Sequence, residues 1–400
     1  MPPDSGNGQI AKGGGAGGTP TLVSALLDRA RGCLVGAAVG DALGGATEGR
    51  SAEAIVAHYG GHVTGVVESM TQALGDRPLA PFHKGDGHVT DDTLLTHALV
   101  RVYELKRDHL DAYDVERLLV PELIGQHVWI PELGREELLV QRLFLAEKWL
   151  VLRLHYGHVD PREAGVGNIV NCGAAMYAAP IGIANAGSAY GAYREAVDVA
   201  GAHQSSYGRE AAGVFAAAVA EALRPGATPA SVVECCLSLA QDGTRAAIEQ
   251  VCDAASGLDG WRGGLGKLRA AVEPFDTVGT VYTEPGLGAR RPSRLHSIEE
   301  LPIALGLLLA TGGDHRETVL GGVNYGRDSD SIGTMGGAIA GALGGRGSVP
   351  DEWVEQISNA SRIDLETPGR TMADVAGAIW ARDLERERLR AHTLGEPECV

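Results

Sequence analysis

Apolar residues recur along most of the chain with the spacing of one helical face. Near the start the pattern predicts a helix over residues 21–39, and its apolar face is formed by Leu22, Leu26, Ala30, Leu34 and Ala38. The same periodicity predicts further helices over residues 92–107, 136–155, 209–223, 231–243 and 297–313. The last of these begins with Ser297 and has Glu300 three residues on, which is the pattern of a capping box. We therefore expect an all-α fold.

Patterns typical of β-strands are scarce. The stretch GHVTGVV, residues 61–67, is the best candidate, and it is equally consistent with the edge of a loop. Because no segment repeats at a fixed period, one compact all-α domain over residues 22–385 is the simplest organisation. The glycine-rich residues 1–21 predict a flexible tail, and the charged residues 386–400 predict a polar C-terminal tail.

The composition narrows the possible partners of the protein. Its formal net charge of −17 argues against a surface that binds nucleic acid or an anionic membrane, since both require a basic stripe. No apolar run reaches the roughly 18–20 residues of a membrane span, and the first residues do not resemble a secretory signal. Six scattered cysteines without a CxxC pair predict reduced thiols in a cytoplasmic protein. We expect a monomer or a small homo-oligomer.

Two of the predicted helices carry glycine at every fourth position. These residues are Gly32, Gly36 and Gly40 in one helix and Gly333, Gly337, Gly341 and Gly345 in the other. A glycine inside a helix costs about 0.5–1 kcal/mol relative to alanine, so the repetition indicates that another backbone lies close by. Dense packing alone would explain each stripe. The sharper hypothesis is that both helices are central, pack against each other and hold the neighbouring acidic loops.

Carboxylate and hydroxyl side chains gather at helix ends in the stretches GDALGGATEG, GHVTDDT and GRDSDSIG. The residues concerned are Asp41 and Glu48, then Thr90, Asp91 and Asp92, and finally Asp328, Asp330 and Ser331. Helix capping explains each group when it is taken alone. Two acid pairs beside hydroxyl groups, however, match the oxygen ligands that Mg²⁺ and Mn²⁺ prefer. If the groups converge, they can hold two divalent cations, and without cations several carboxyl groups would take up protons.

The stretches GCLVGAAVGDALGGATEG, TDDT, GAAMYAAPIG and GRDSDSIGTMGGAIAGALGG resemble, in this order, the ADP-ribosylglycohydrolase family. The resemblance extends over about residues 29–345. It implies an all-α domain with a binuclear Mg²⁺ or Mn²⁺ centre that assists hydrolysis of the anomeric C–N or C–O bond of ADP-ribose. The implied metal ligands are Thr90, Asp91, Asp92, Asp328, Asp330 and Ser331, the last standing where the family usually has threonine.

The same resemblance implies catalytic and substrate-binding roles. Either Glu48 or Asp92 would act as the base or as the electrostatic partner of the reaction, and the residues do not decide between them. The residues expected near the substrate are Glu48, Asn171, Gly173, Met176 and His203. Asp41 is expected to orient backbone rather than to bind metal. For His203, a structural role in the core is an equal alternative.

Three positions depart from the usual pattern of the family. Cys172 stands in place of a glycine and Tyr177 stands where arginine is common, in a loop expected beside the ribose phosphate of the substrate. Tyr177 either packs into the core or stacks on a base. Arg327 replaces another glycine, and we expect it to be exposed to solvent, with contact to a phosphate as the alternative.

Three functions are compatible with these residues. The first is a metal-dependent hydrolase that removes ADP-ribose from a protein side chain or a related conjugate. The second applies the same chemistry to a small N-riboside or a nucleotide-derived metabolite, because the loop around Cys172 and Tyr177 is altered. The third is a protein that binds ADP-ribose or metal without catalysis.

Overall fold

The computed structural model describes residues 22–70, 85–275 and 298–395. The predicted N-terminal tail and the predicted capping residue Ser297 lie outside these ranges. Within them the chain is mainly helical, as the periodicity predicted. None of the described helices has the length and hydropathy that crossing a lipid bilayer requires.

The described residues contain seventeen α-helices. Their bounds are α1 Leu22–Gly44, α2 Ala52–Tyr59, α3 Asp91–Lys106, α4 Ala112–Asp114, α5 Val120–Gly125, α6 Leu145–Leu150, α7 Ala179–Ala184, α8 Ala189–Gly201, α9 Ser206–Ala222, α10 Pro229–Leu239, α11 Asp242–Ser256, α12 Leu265–Val272, α13 Glu300–Ala310, α14 His315–Tyr325, α15 Ser329–Gly344, α16 Asp351–Ser361 and α17 Thr367–Leu394. Helix α17 extends to Leu394, so most of the segment expected to be a C-terminal tail is helical.

The helix predicted over residues 136–155 was wrong in its first half. Strands β1, His127–Ile130, and β2, Arg135–Leu138, form an antiparallel hairpin in which Ile130 faces Arg135. Gly134 closes the turn with φ +60°, a conformation that L-residues with side chains seldom adopt. A 3₁₀ turn at Leu139–Gln141, the short helix α6 and a π-helical continuation at Val151–Tyr156 follow. The apolar residues of this region fitted a helical spacing although the first of them lie in a strand.

The candidate strand at residues 61–67 does not pair with another strand. Instead, the side chain of Asn324 on α14 makes the two backbone hydrogen bonds that a partner strand would make. Its Oδ1 accepts from the backbone N–H of Val63 at 2.9 Å, and its Nδ2 donates to the carbonyl of Val63, also at 2.9 Å. The segment is therefore a loop fixed to α14.

The two glycine stripes face each other, which confirms the sharper hypothesis. Helices α1 and α15 run antiparallel, with Gly32 against Gly341, Gly36 against Gly337, and Gly40 against Gly333. A Cβ atom added at any of these positions would overlap a carbonyl oxygen of the opposite helix. Gly345 is the exception, because it lies beyond the end of α15 with φ +74°.

Helix α15 is the centre of the domain. Every residue from Ser329 to Ala342 is buried, so the helix has no solvent-facing side. Helices α1, α13, α14, α9 and α3 pack around it, while α17 packs on α1. The N-terminus of α15, which carries Asp328 and Asp330, is therefore held by the core on several sides.

We predict that Gly40→Ala lowers the free energy of unfolding by about 2–3 kcal/mol or more, because the new methyl group would overlap the backbone at Gly333. The matched control is Gly377→Ala on α17, where nothing lies within 4 Å of the added atom. This control should raise stability by about 0.5–1 kcal/mol through helix propensity. Chemical denaturation measures both changes, and equal effects of the two substitutions would contradict the close contact of α1 and α15.

Candidate metal centre

The N-terminus of α3 is fixed to α1 by a buried carboxylate. Asp41 accepts hydrogen bonds from the backbone N–H and the hydroxyl of Thr90, the latter at 2.6 Å, and from the N–H and hydroxyl of Thr93. Asp41 is completely buried. From its place on α1, Asp41 thus accepts from the free hydrogen-bond donors at the start of α3. This is the orienting role expected for it.

A short backbone bridge brings Glu48 to the start of α15. Arg327 donates its N–H to the carbonyl of Arg50 at 2.8 Å, and Gly49 donates to the carbonyl of Arg327 at 2.7 Å. Gly326 is required here, because it has φ +75° and a Cβ atom would overlap the carbonyl of Arg50. Glu48, next to this bridge, is held beside Asp328.

The acidic stretches, which are distant in sequence, meet in one place. Three groups of side chains each bring their potential ligand atoms within 4.8 Å of one another. The groups are Asp41, Asp92 and Asp330; Glu48, Asp328 and Asp330; and Cys172, Glu300 and Asp328. Neighbouring groups share one carboxylate, Asp330 or Asp328, so the three adjoin in a row.

The remaining predicted ligands lie beside these groups. Thr90 donates its hydroxyl proton to Asp41 and lies 3.2 Å from Oδ2 of Asp92, and Asp91 accepts from the N–H of Phe144 at 3.1 Å. Ser331 is buried in the first turn of α15, where its Oγ lies 3.2 Å from the sulfur of Cys172. All six residues that the resemblance implied as ligands are thus brought to one region.

Burial and mutual repulsion perturb the titration of these acids. Burial, followed by the charges of Asp330 and Asp41, raises the pKa of Asp92 well above its ordinary value. Burial also raises the pKa of Asp41 to about 7, although hydrogen bonds from Thr90 and Thr93 oppose that effect. Without a compensating positive charge, the folded protein favours protonated carboxyl groups here.

The loop around Asn171 forms one wall of the site. Asn171 is half-buried, and its Oδ1 accepts from the N–H of Gly173 at 3.0 Å and from the amide of Gln204 at 2.8 Å. Cys172 donates its thiol proton to Oδ2 of Asp328 at 3.2 Å. The residue that departs from the family pattern therefore touches a predicted ligand directly.

Two other residues of this wall are occupied within the protein. His203 is fully buried, with Nδ1 3.1 Å from the hydroxyl of Tyr177 and Nε2 3.1 Å from the carbonyl of Ala146. These contacts favour the structural alternative for His203 and core packing for Tyr177. Met176 is likewise buried in the hydrophobic core. A direct contact of His203 or Met176 with a ligand stays a prediction.

The expectation that Arg327 is exposed was wrong. The residue is 5% exposed, and its Nε donates to Oε2 of Glu299 at 2.8 Å. Its φ of +57° is the left-handed conformation that glycine favours, so the backbone keeps a glycine-like turn despite the side chain. The buried ion pair with Glu299 holds this turn in place directly before Asp328.

Two buried glutamates near the site were missed by sequence reasoning. Glu300 is completely buried and belongs to the group with Cys172 and Asp328, but its spacing from Ser297 suggested a capping role. Glu147 is 1% exposed and lies close enough to Asp91 and Asp328 for their charges to raise its pKa. It is part of the region predicted as one continuous helix, and no local motif distinguishes it.

Comparison with known proteins decides the family. The family model described as ADP-ribosylglycohydrolase matches residues 22–388. The chain belongs to the ADP-ribosylglycohydrolase family. Membership in this ADP-ribosylglycohydrolase family indicates glycosidic hydrolysis of ADP-ribose conjugates as the class of activity, and the family is generally metal-dependent.

A solved structure agrees with the fold of the chain. It is described as an "ADP-ribosylglycohydrolase-related protein complex" and matches with a TM-score of 0.56 and 21% identity. The match covers 88% of this chain and 99% of the other. At this identity the likeness shows the fold alone. No curated protein matches the chain.

The donor set of the acidic groups fits hard divalent cations. Two of the three groups offer only carboxylate oxygens, which Mg²⁺ and Mn²⁺ prefer. Oδ1 of Asp92 is buried and has no hydrogen-bond partner among the described residues. A buried carboxylate oxygen without a partner lowers the stability of the folded protein unless a cation or a proton compensates its charge.

We predict that Asp330→Asn abolishes stabilisation by Mn²⁺ or Mg²⁺, because Asp330 belongs to both oxygen-only groups. Wild-type protein should gain about 2.7 kcal/mol at a hundredfold excess of cation over Kd. In metal-free buffer the variant should be as stable as the wild type or more stable, since one repelling charge is gone. Chemical denaturation with and without cation measures both quantities.

The matched control for this prediction is Asp114→Asn, a buried aspartate in the capping box of α4. It should lower stability but keep the full response to the cation. A wild-type cation response in the Asp330→Asn protein would contradict the assignment of the site.

Proposed function

We propose that the protein is a metal-dependent hydrolase that cleaves the glycosidic bond between ADP-ribose and an acceptor. The observation that carries this proposal is the pair of adjoining carboxylate groups that share Asp330. Two cations held side by side would suit a substrate with a ribose diol, which offers two neighbouring oxygens. The proposed domain comprises residues 22–385, and we propose a cytoplasmic protein that is a monomer or a small homo-oligomer.

The cations would be held from two sides of the site. The first side is the start of α3 and the second is the start of α15, and the proposed ligands are Thr90, Asp91, Asp92, Asp328, Asp330 and Ser331. Bound Mg²⁺ or Mn²⁺ would orient the ribose hydroxyls and lower the pKa of bound water.

The residues of the chain supply the electrostatics of the reaction. Glycosidic cleavage passes through an oxocarbenium-like transition state, which nearby carboxylates stabilise. Glu48 belongs with Asp328 and Asp330 to the middle group of the acidic row and is half-buried, whereas Asp92 belongs to a neighbouring group and is buried. We propose that Glu48 faces the substrate, whereas Asp92 acts mainly as a ligand. Asn171 and Gly173 would line the same opening.

A second candidate function is the same chemistry on a small N-riboside. It is favoured by Cys172, whose thiol touches Asp328 where the family usually has glycine. The added side chain fills space at the wall of the site and would alter which acceptors fit. The third function, binding without catalysis, would require that the complete acidic row bind ADP-ribose or metal but hydrolyse nothing.

The test is hydrolysis of defined conjugates by the full-length protein. Peptides ADP-ribosylated on arginine or on serine, and a panel of N-ribosides, are incubated with Mg²⁺, with Mn²⁺ or with EDTA. We expect release of ADP-ribose from at least one conjugate, only with cation, and at least about a hundredfold slower release by Asp330→Asn. Turnover of N-ribosides alone would select the second candidate. Tight binding of ADP-ribose without release from any conjugate would contradict both.

A further inference from the structure

Glu147 is a buried carboxyl group in the wall of the proposed active site that none of the assigned roles uses. It lies on α6, which follows Phe144, the residue whose N–H binds Asp91. Its Oε1 is so close to Gly173 that a Cβ atom on that residue would overlap it. The same oxygen is 3.7 Å from Nε2 of His203.

The two oxygens of the Glu147 carboxyl group differ in their surroundings. Oε2 is buried and has no hydrogen-bond partner among the residues that the structure describes. Leaving such a group unpaired costs about 1–3 kcal/mol, which indicates that it is satisfied in another state of the protein. Two half-buried residues are near this carboxyl group: Asn171, which like Glu147 lies beside Gly173, and Asp328, whose charge acts on Glu147.

Glu147 is also separate from the three groups of side chains that could hold cations. It is in none of the three groups whose ligand atoms lie within 4.8 Å of one another. Asp91 and Asp328 are nevertheless near enough for their charges to act on it. It therefore borders the acidic row without being required by it, whereas Glu48, Asp92 and Glu300 each belong to a group.

We propose that Glu147 is the general acid of the reaction and that the acceptor is linked to ADP-ribose through oxygen. This inference rests on the proposed function. An alkoxide is a poor leaving group and must be protonated as it departs, which a carboxyl group next to the glycosidic bond can do. A guanidinium, by contrast, already carries its proton and leaves as neutral guanidine.

The proposed step balances as follows. The C–O bond breaks with its electron pair on the leaving oxygen, which takes the proton of Glu147 and departs as the free hydroxyl of the acceptor. Water forms the new bond to the anomeric carbon and releases one proton to solvent, and Glu147 regains one proton from solvent. Burial raises the pKa of Glu147, which favours the protonated form that this step needs.

The test compares two substrates that differ in whether the leaving group needs a proton. One is a serine-linked ADP-ribosyl peptide, and the other is an ADP-ribosyl pyridinium of the same anomeric configuration, whose leaving group departs as a neutral base. Glu147→Gln should slow kcat for the serine conjugate by about 10²–10⁴-fold. Release from the pyridinium should change by less than about threefold, because no proton transfer to the leaving group is needed there.

Two further variants separate catalysis from structure. Glu147→Asp keeps the acid and should restore part of the activity on the serine conjugate. Glu195→Gln changes another buried glutamate, which accepts from Tyr103, Leu110 and Asn185 away from the acidic row. Any loss in this control should be equal for both substrates.

The outcomes distinguish this inference from the function on which it rests. Suppose that wild-type protein releases ADP-ribose, but Glu147→Gln slows release from the two substrates equally or slows neither. In that case Glu147 is not the general acid. If wild-type protein turns over only arginine conjugates, the oxygen-linked acceptor is wrong. If it releases ADP-ribose from no conjugate, the proposed function fails and the assignment of Glu147 fails with it.

Discussion

The structure depends on backbone contact between α1 and α15. Glycines at matching positions allow the two helices to approach until carbonyl oxygens fill the space that side chains would occupy. Such contact tolerates no added methyl group, so the register of the two helices is fixed. The end of α1, which carries Asp41, is thereby placed beside the start of α15, which carries Asp330. The rigidity of the acidic row follows from a constraint on packing rather than from hydrogen bonds alone.

Because the same core buries the acidic row, the row destabilises the folded protein in the absence of cations. Asp92 and Asp330 are each 2% exposed, and Asp92 has an oxygen without a hydrogen-bond partner among the described residues. Repulsion between buried carboxylates raises the pKa of Asp92, so protons or divalent cations must compensate the charge. A protein that maintains this arrangement stores unfavourable energy that a cation would release, which is a reason to regard the row as a binding site and not as a set of helix caps.

The helical class, the contact between the glycine stripes and the convergence of the acidic stretches could be predicted, because each depends on local periodicity or on a motif. The hairpin before Leu138 could not, since its apolar residues also fit a helical spacing. Arg327 was misjudged because its burial depends on an ion pair with Glu299. That residue is 28 positions away in the sequence but adjacent in the fold. Glu147 carries no motif, and its position beside Gly173 results from how the chain folds between α5 and α7.

The most direct test of the account is a crystal soaked with Mn²⁺ and examined by anomalous diffraction. The account predicts two adjacent manganese positions between the starts of α3 and α15, with ligands drawn from Thr90, Asp91, Asp92, Asp328, Asp330 and Ser331. A fully soaked crystal with no manganese among these side chains, or with manganese only at a remote surface, would contradict it.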